Sequence, residues 1–215
     1  VKLKFRKKKI TIIGFSFGFV IVTRMLQKYP EIVDKTELLI SAVGFTHKDD
    51  FIYTPVRTFI YKHTSMLLSQ KLPSILFKAI ALNPSVIRLI YAHTKNAKDK
   101  FKNLTKAESK AVMNYEVHLW HANDIRTHMR TTHEFFILDN CKVPVNLNVH
   151  HISVGEDRYF DNNKVKQHLE IIFSKVEIIP ASINSHGPSL ILSKEDAAPF
   201  IPDKVRKLLS KDPSV

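Results

Sequence analysis

The chain has 215 residues, 44% hydrophobic and 25% charged, and a formal net charge of +13. That length buries a sizeable core, and the hydrophobic share excludes a disordered chain. No window reaches the roughly 18 apolar residues of a membrane span, and a lone cysteine, Cys141, excludes an intramolecular disulfide.

In chain order, Lys7-Lys8-Lys9 leads into the apolar run Ile10-Thr11-Ile12-Ile13, a strand. Gly14-Phe15-Ser16-Phe17-Gly18 follows, then a helical pattern over 19–29. A strand, a tight turn and a helix with serine at the apex predict a strained backbone at Ser16, with small residues two before and two after it. The helix that follows aims its first amides at the hydroxyl. The alternative is a glycine-rich turn with a bystander serine. Against that, the chain has five glycines, and Gly14, Gly18, Gly155 and Gly187 stand beside Ser16, Asp157 or His186.

A second strand is predicted over 38–43. Residues 47–140 lack a strong strand pattern and show three or four helical ones. Val56, Phe59, Ile60, His63, Met66 and Leu67 recur at helical spacing. Residues 74–91 are apolar but interrupted at Asn83-Pro84, which predicts a kink or two short helices. Thr105-Lys106-Ala107-Glu108 fits a capping box opening one long helix that carries Ala111, Tyr115, Leu119, Ile125 and Met129 on one face. His118 and His121 lie three apart without a suitably spaced third ligand, so no metal is expected.

Further strands are predicted over 147–154 and 176–179. The first ends in Gly155-Glu156-Asp157, which puts a carboxylate just past a strand end, where open parallel sheets build sites. Asp161, four residues on, is its rival. The second is followed by a polar loop with His186-Gly187-Pro188, a histidine on a turn.

The order serine, carboxylate, histidine, together with Gly14-Phe15-Ser16-Phe17-Gly18 and the two loops, resembles the C-terminal two-thirds of an α/β-hydrolase over residues 10–46 and 144–210. The resemblance implies an α/β fold with a mostly parallel, incomplete sheet of about four strands and an inserted helical cap. It divides the chain into core 1–46, cap 47–140 and core 141–215. It implies Ser16 as nucleophile, His186 as base and Asp157, or Asp161, as the acid, with the Phe17 N–H as one oxyanion donor. The second donor of the family comes from a loop after an earlier strand, which precedes anything in this chain. Residues 1–9 accordingly read as the tail of a preceding element.

The expected activity is hydrolysis of an ester, thioester or amide of a small acyl substrate, with no cofactor. Serine at the apex argues against the epoxide hydrolase and haloalkane dehalogenase branches, which use aspartate there. The alternatives are an inactive binding or interaction module and a fragment completed by an N-terminal segment. No nucleic-acid partner is expected, because the basic residues follow no recognised binding motif. Contact of a basic cap with an anionic membrane surface is the other reading of the charge. An exposed apolar edge strand would drive self-association. A single cysteine fits a cytoplasmic location.

Overall fold

The computed structural model describes residues 9–93, 101, 104–155, 157–181, 186, 195, 198 and 201–210. Lys7, Lys8, Glu156, Gly187 and Pro188, singled out in the sequence, lie outside the described residues.

Four strands form one all-parallel sheet in the order β1-β2-β3-β4: β1 Ile10–Phe15, β2 Thr36–Ala42, β3 Val145–Ser153 and β4 Phe173–Pro180. Parallel neighbours need crossover connections. Helices α1 (Phe17–Lys28) and α2 (Pro30–Val33) join β1 to β2, and α8 (Asn162–Ile172) joins β3 to β4. Among the described residues, the chain from β2 to β3 passes through a 3-10 turn at Lys48–Asp50 and the helices α3 Pro55–Leu68, α4 Lys71–Ile80, α5 Pro84–His93, α6 Lys106–Ala122 and α7 Ile125–Phe135. A last helix, α9, spans Asp203–Ser210.

β1 and β2 are mostly apolar, as strands of a parallel sheet tend to be, whereas β3 (VNLNVHHIS) and β4 (FSKVEIIP) interleave polar residues with apolar ones. Leu39, Ile40 and Val149 are buried at the sheet centre, with Phe19 and Leu26 of α1 and Leu169 and Ile172 of α8. On one face Leu38, Ile40 and Ile179 pack with Val205, which holds α9. Lys204 of α9 reaches the Glu177 carboxylate of β4.

The chain divides into a sheet unit (1–54 and 137–215) and a helical unit (55–136). The segments flanking the helical unit belong to the sheet unit for a visible reason. Lys48 N donates to Leu138 O at 2.9 Å, Asn140 N to Thr46 O at 3.1 Å and Ile52 N to Tyr159 O at 3.0 Å. The helical unit has its own core of Leu82, Ile87 and Ile125, with Phe77, Tyr91, Val117, Trp120 and Met129 against it.

Three helix boundaries are instructive. Thr105 and Glu108 do form a capping box, with Thr105 N donating to Glu108 Oε2 at 2.8 Å. The single long helix expected to run through Met129 is instead two. Asp124 accepts from Arg126 N at 3.1 Å and from the Thr127 hydroxyl at 2.7 Å, so it caps a new helix rather than continuing the old one. At Asn83-Pro84 the apolar run does break, and α4 and α5 meet at 71°. Among the described residues no single helix is long and apolar enough to cross a membrane.

Candidate active site

Ser16 sits between the end of β1 and the first turn of α1, with φ 48° and ψ −120°. A non-glycine residue at positive φ is held there by its surroundings and stores of order 1–3 kcal/mol. Ser16 N donates to Ala42 O at 2.8 Å and Phe19 N to Ser16 O at 3.0 Å, which fastens the apex to β2 on one side and to α1 on the other. Gly14 is required sterically, since a Cβ there would lie 2.7 Å from Phe19 Cα. Gly18 differs from expectation: a Cβ there meets nothing within 4 Å. The crowding falls on the strand side, where α1 returns over β1. Val43, just past β2, also has positive φ, at 46°, so backbone strain occurs at two adjacent strand ends.

A serine at a helix start usually turns its hydroxyl onto the second or third amide. Ser16 makes no such bond. Its Oγ is 2.9 Å from His186 Nε2, and His186 Nδ1 is 2.8 Å from Asp157 Oδ2. With Asp157 ionised, the proton sits on Nδ1 and Nε2 accepts from the serine hydroxyl. Side-chain exposure is 18% for His186 and 3% for Asp157.

Asp157 is held on its other oxygen. Oδ1 accepts from Tyr159 N at 2.8 Å and Phe160 N at 3.3 Å. Burial works to raise the Asp157 carboxyl, but the His186 ring and these two amides outweigh it and leave it below the ordinary aspartate value. Asp161 is elsewhere engaged. It is the N-cap of α8, accepting from Asn163 N at 3.0 Å and Lys164 N at 3.3 Å. The structure thus brings Ser16, His186 and Asp157 together and gives Asp161 to a helix end. Phe17 is the first residue of α1, directly after the serine.

Sequence reasoning missed the rings around the imidazole. Tyr159 stands edge-on to His186 at 5.4 Å, Phe160 lies at 5.2 Å and Phe15 at 6.2 Å. Phe160 is stacked on Phe45 at 4.6 Å and packs on Phe51 at 4.8 Å, so the residue against the histidine is itself clamped. Only the proximity of Phe15 to Ser16 and of Tyr159 and Phe160 to Asp157 in the chain signals them.

Other polar groups fall outside this constellation. His151 is buried on β3 with Nδ1 2.9 Å from Ser41 Oγ, and burial pushes it down to about 4 despite the nearby Asp157 charge. Burial, then the Asp139 and Asp50 carboxylates, push the Cys141 thiol up to about 11, so it is not a thiolate nucleophile. The main chain of His121 accepts from Lys78 Nζ at 2.8 Å, and among the described residues no three His, Cys, Asp or Glu side chains are grouped to hold a metal ion.

No protein-family model and no curated protein matches the chain. Solved structures do. An epoxide hydrolase from Bacillus megaterium, solved with an inhibitor, is similar at 15% identity and a TM-score of 0.50, over 97% of this chain and 70% of that one. An enol-lactonase from Burkholderia xenovorans LB400 is similar at 10% identity and a TM-score of 0.49, over 94% of this chain and 66% of that one. A thermophilic esterase from Thermogutta terrifontis gives 11% identity and a TM-score of 0.45, over 95% and 64%. The chain therefore spans about two thirds of the length of these neighbours. A parallel sheet, a strained strand–turn–helix at its edge and a match along nearly the whole chain identify this as the α/β-hydrolase fold.

Proposed function

We propose that the chain is a serine hydrolase acting on an ester, thioester or amide of a small acyl substrate. The observation that carries the reading is the relay Ser16 Oγ–His186 Nε2 at 2.9 Å and His186 Nδ1–Asp157 Oδ2 at 2.8 Å. A serine hydroxyl is a poor nucleophile until a neutral imidazole takes its proton during attack. Ser16 attacks the carbonyl carbon, and its proton passes to His186 Nε2. Asp157 fixes the tautomer and stabilises the resulting imidazolium. The tetrahedral oxyanion is met by the Phe17 N–H at the positive end of α1. His186 then protonates the leaving group and takes a proton from water; the hydroxide attacks the acyl carbon, the Oγ–acyl bond breaks to release the acid, and His186 returns its proton to Ser16 Oγ.

These steps need no cofactor. The helical unit, inserted between β2 and β3, acts in this reading as a cap that shapes the substrate site and limits water. A single cysteine held as a thiol fits the cytoplasm.

The test is labelling of the full chain with a fluorophosphonate probe. Wild type is expected to label, with labelling lost in Ser16→Ala and His186→Ala and strongly slowed in Asp157→Asn. Folded wild type that fails to label overturns the hydrolase reading and leaves that of a binding module on the same fold.

A further inference from the structure

The helical unit carries a set of exposed side chains on α3, α4 and α5 that no contact among the described residues covers. From residue 51 to residue 98 the sequence contains no Asp or Glu, while α3, α4 and α5 carry Arg57, Lys62, Lys71, Lys78 and Arg88. The same three helices expose large apolar side chains: Val56 (70%) and Phe59 (63%) on α3, Leu72 (72%), Leu76 (60%) and Ile80 (69%) on α4, and Leu89 (59%) on α5. On α4 the spacing of 72, 76 and 80 sets them on one face.

These residues are surplus to the unit's own core, which is built from Leu82, Ile87 and Ile125 and the side chains around them. Large apolar surface left in water marks an interaction site. The charge selects the partner. A basic, apolar helical surface without one carboxylate is the composition of helices that lie in the headgroup region of a bilayer, with apolar side chains in the acyl boundary and Lys or Arg on lipid phosphates. A protein partner with an ordinary mixed-charge rim would not require the total exclusion of acidic residues over this stretch.

The geometry of α4 and α5 agrees with a surface location. Together they have the length and composition of a membrane span, but they are bent by 71° and neither is long enough alone. In this arrangement each short helix lies along the interface, since neither alone is long enough to cross it.

We propose that α3, α4 and α5 form an interfacial docking surface for an anionic lipid bilayer. Apolar burial supplies affinity, and the basic side chains select anionic over zwitterionic headgroups. The interaction is independent of the chemistry at Ser16 and brings the chain to a lipid surface whether or not that serine reacts.

The experiment is co-sedimentation of the full chain with phosphatidylcholine vesicles, with and without phosphatidylserine, over a range of salt. Binding is expected with phosphatidylserine and is expected to weaken as salt rises. Each charge removed, in Arg57→Gln and Lys71→Gln, is expected to lower the affinity for anionic vesicles about fivefold. Leu72→Ser with Ile80→Ser, both exposed positions that keep the fold, is expected to abolish binding at equal helix content by circular dichroism. Two results overturn the proposal. One is no binding to anionic vesicles. The other is binding to both vesicle types alike that these variants leave unchanged. Association of copies through this face without any vesicle binding likewise replaces the lipid with a second copy as the occupant.

Discussion

Ser16 shows how much one hydroxyl's direction decides. The same residue type at the same helix start is a cap when its Oγ turns to the helix amides, and in the proposed reaction it is a nucleophile when it turns to an imidazole. Here it faces His186 at 2.9 Å. His151 is the opposite case, a histidine removed from chemistry by burial. It lies beside Ser41 with its pKa pushed down to about 4. Its consequence is for stability. The unfolded chain binds this proton near pH 6.5 and the folded chain does not until about pH 4, so the unfolded state holds more protons in between and stability falls as pH falls. The difference corresponds to roughly 3 kcal/mol, fully present above pH 6.5 and lost toward pH 4. Urea unfolding across that range is expected to show the decline, and His151→Gln is expected to flatten it. An equally steep decline in the variant would assign the effect to other groups.

The turn from Asp157 to Asp161 is the element on which the site depends most. Its main chain holds the Asp157 carboxylate, through the Tyr159 and Phe160 amides on Oδ1, and its rings pack against the His186 imidazole, Tyr159 edge-on and Phe160 tilted. The turn is itself anchored, since Phe160 bridges Phe51 and Asp161 N donates to Asp50 O at 2.8 Å. Phe160→Leu keeps an apolar side chain but removes the ring clamped between Phe45 and His186. In the proposed reaction a small displacement of the imidazole is costly, so probe labelling of Ser16 is expected to slow between about tenfold and a hundredfold. The control is Phe173→Leu, whose ring packs on Phe19 at 5.8 Å. Equal slowing in both variants would make the effect one of general packing. The elements themselves were unevenly legible. The elbow, the Thr105 cap and the break at Asn83-Pro84 are local chemistry and can be read from a few adjacent residues. The break between α6 and α7 was not, because the apolar stripe from Ala111 to Met129 stays in phase across it while Asp124 stops the helix through its own hydrogen bonds.

For the whole molecule, charge and edge work against each other. β1 ends the strand order and exposes Ile13 (54%), and α1 beside it exposes Ile21 (56%). An apolar strand at a sheet edge favours pairing with another copy, whereas a net charge of +13 keeps copies apart until salt screens it. Sedimentation velocity is therefore expected to show association that strengthens with ionic strength, the reverse of the salt dependence expected for vesicle binding. Ile13→Lys is expected to suppress it, and salt-independent monomers would exclude it. At this scale the division of labour between sequence and structure becomes clear. The sequence by itself determined the class of fold, the strand–turn–helix around Ser16 and the two loops carrying Asp157 and His186, because backbone strain, turn chemistry and apolar periodicity are properties of neighbouring residues. Tertiary structure alone decided that Asp157 rather than Asp161 meets His186, that Phe15, Tyr159 and Phe160 enclose the imidazole, and that Phe45 and Phe51 brace Phe160. Those outcomes depend on where segments meet in space that lie from about thirty residues apart, as Asp157 and His186, to more than a hundred, as Phe45 and Phe160, and no local pattern encodes that meeting.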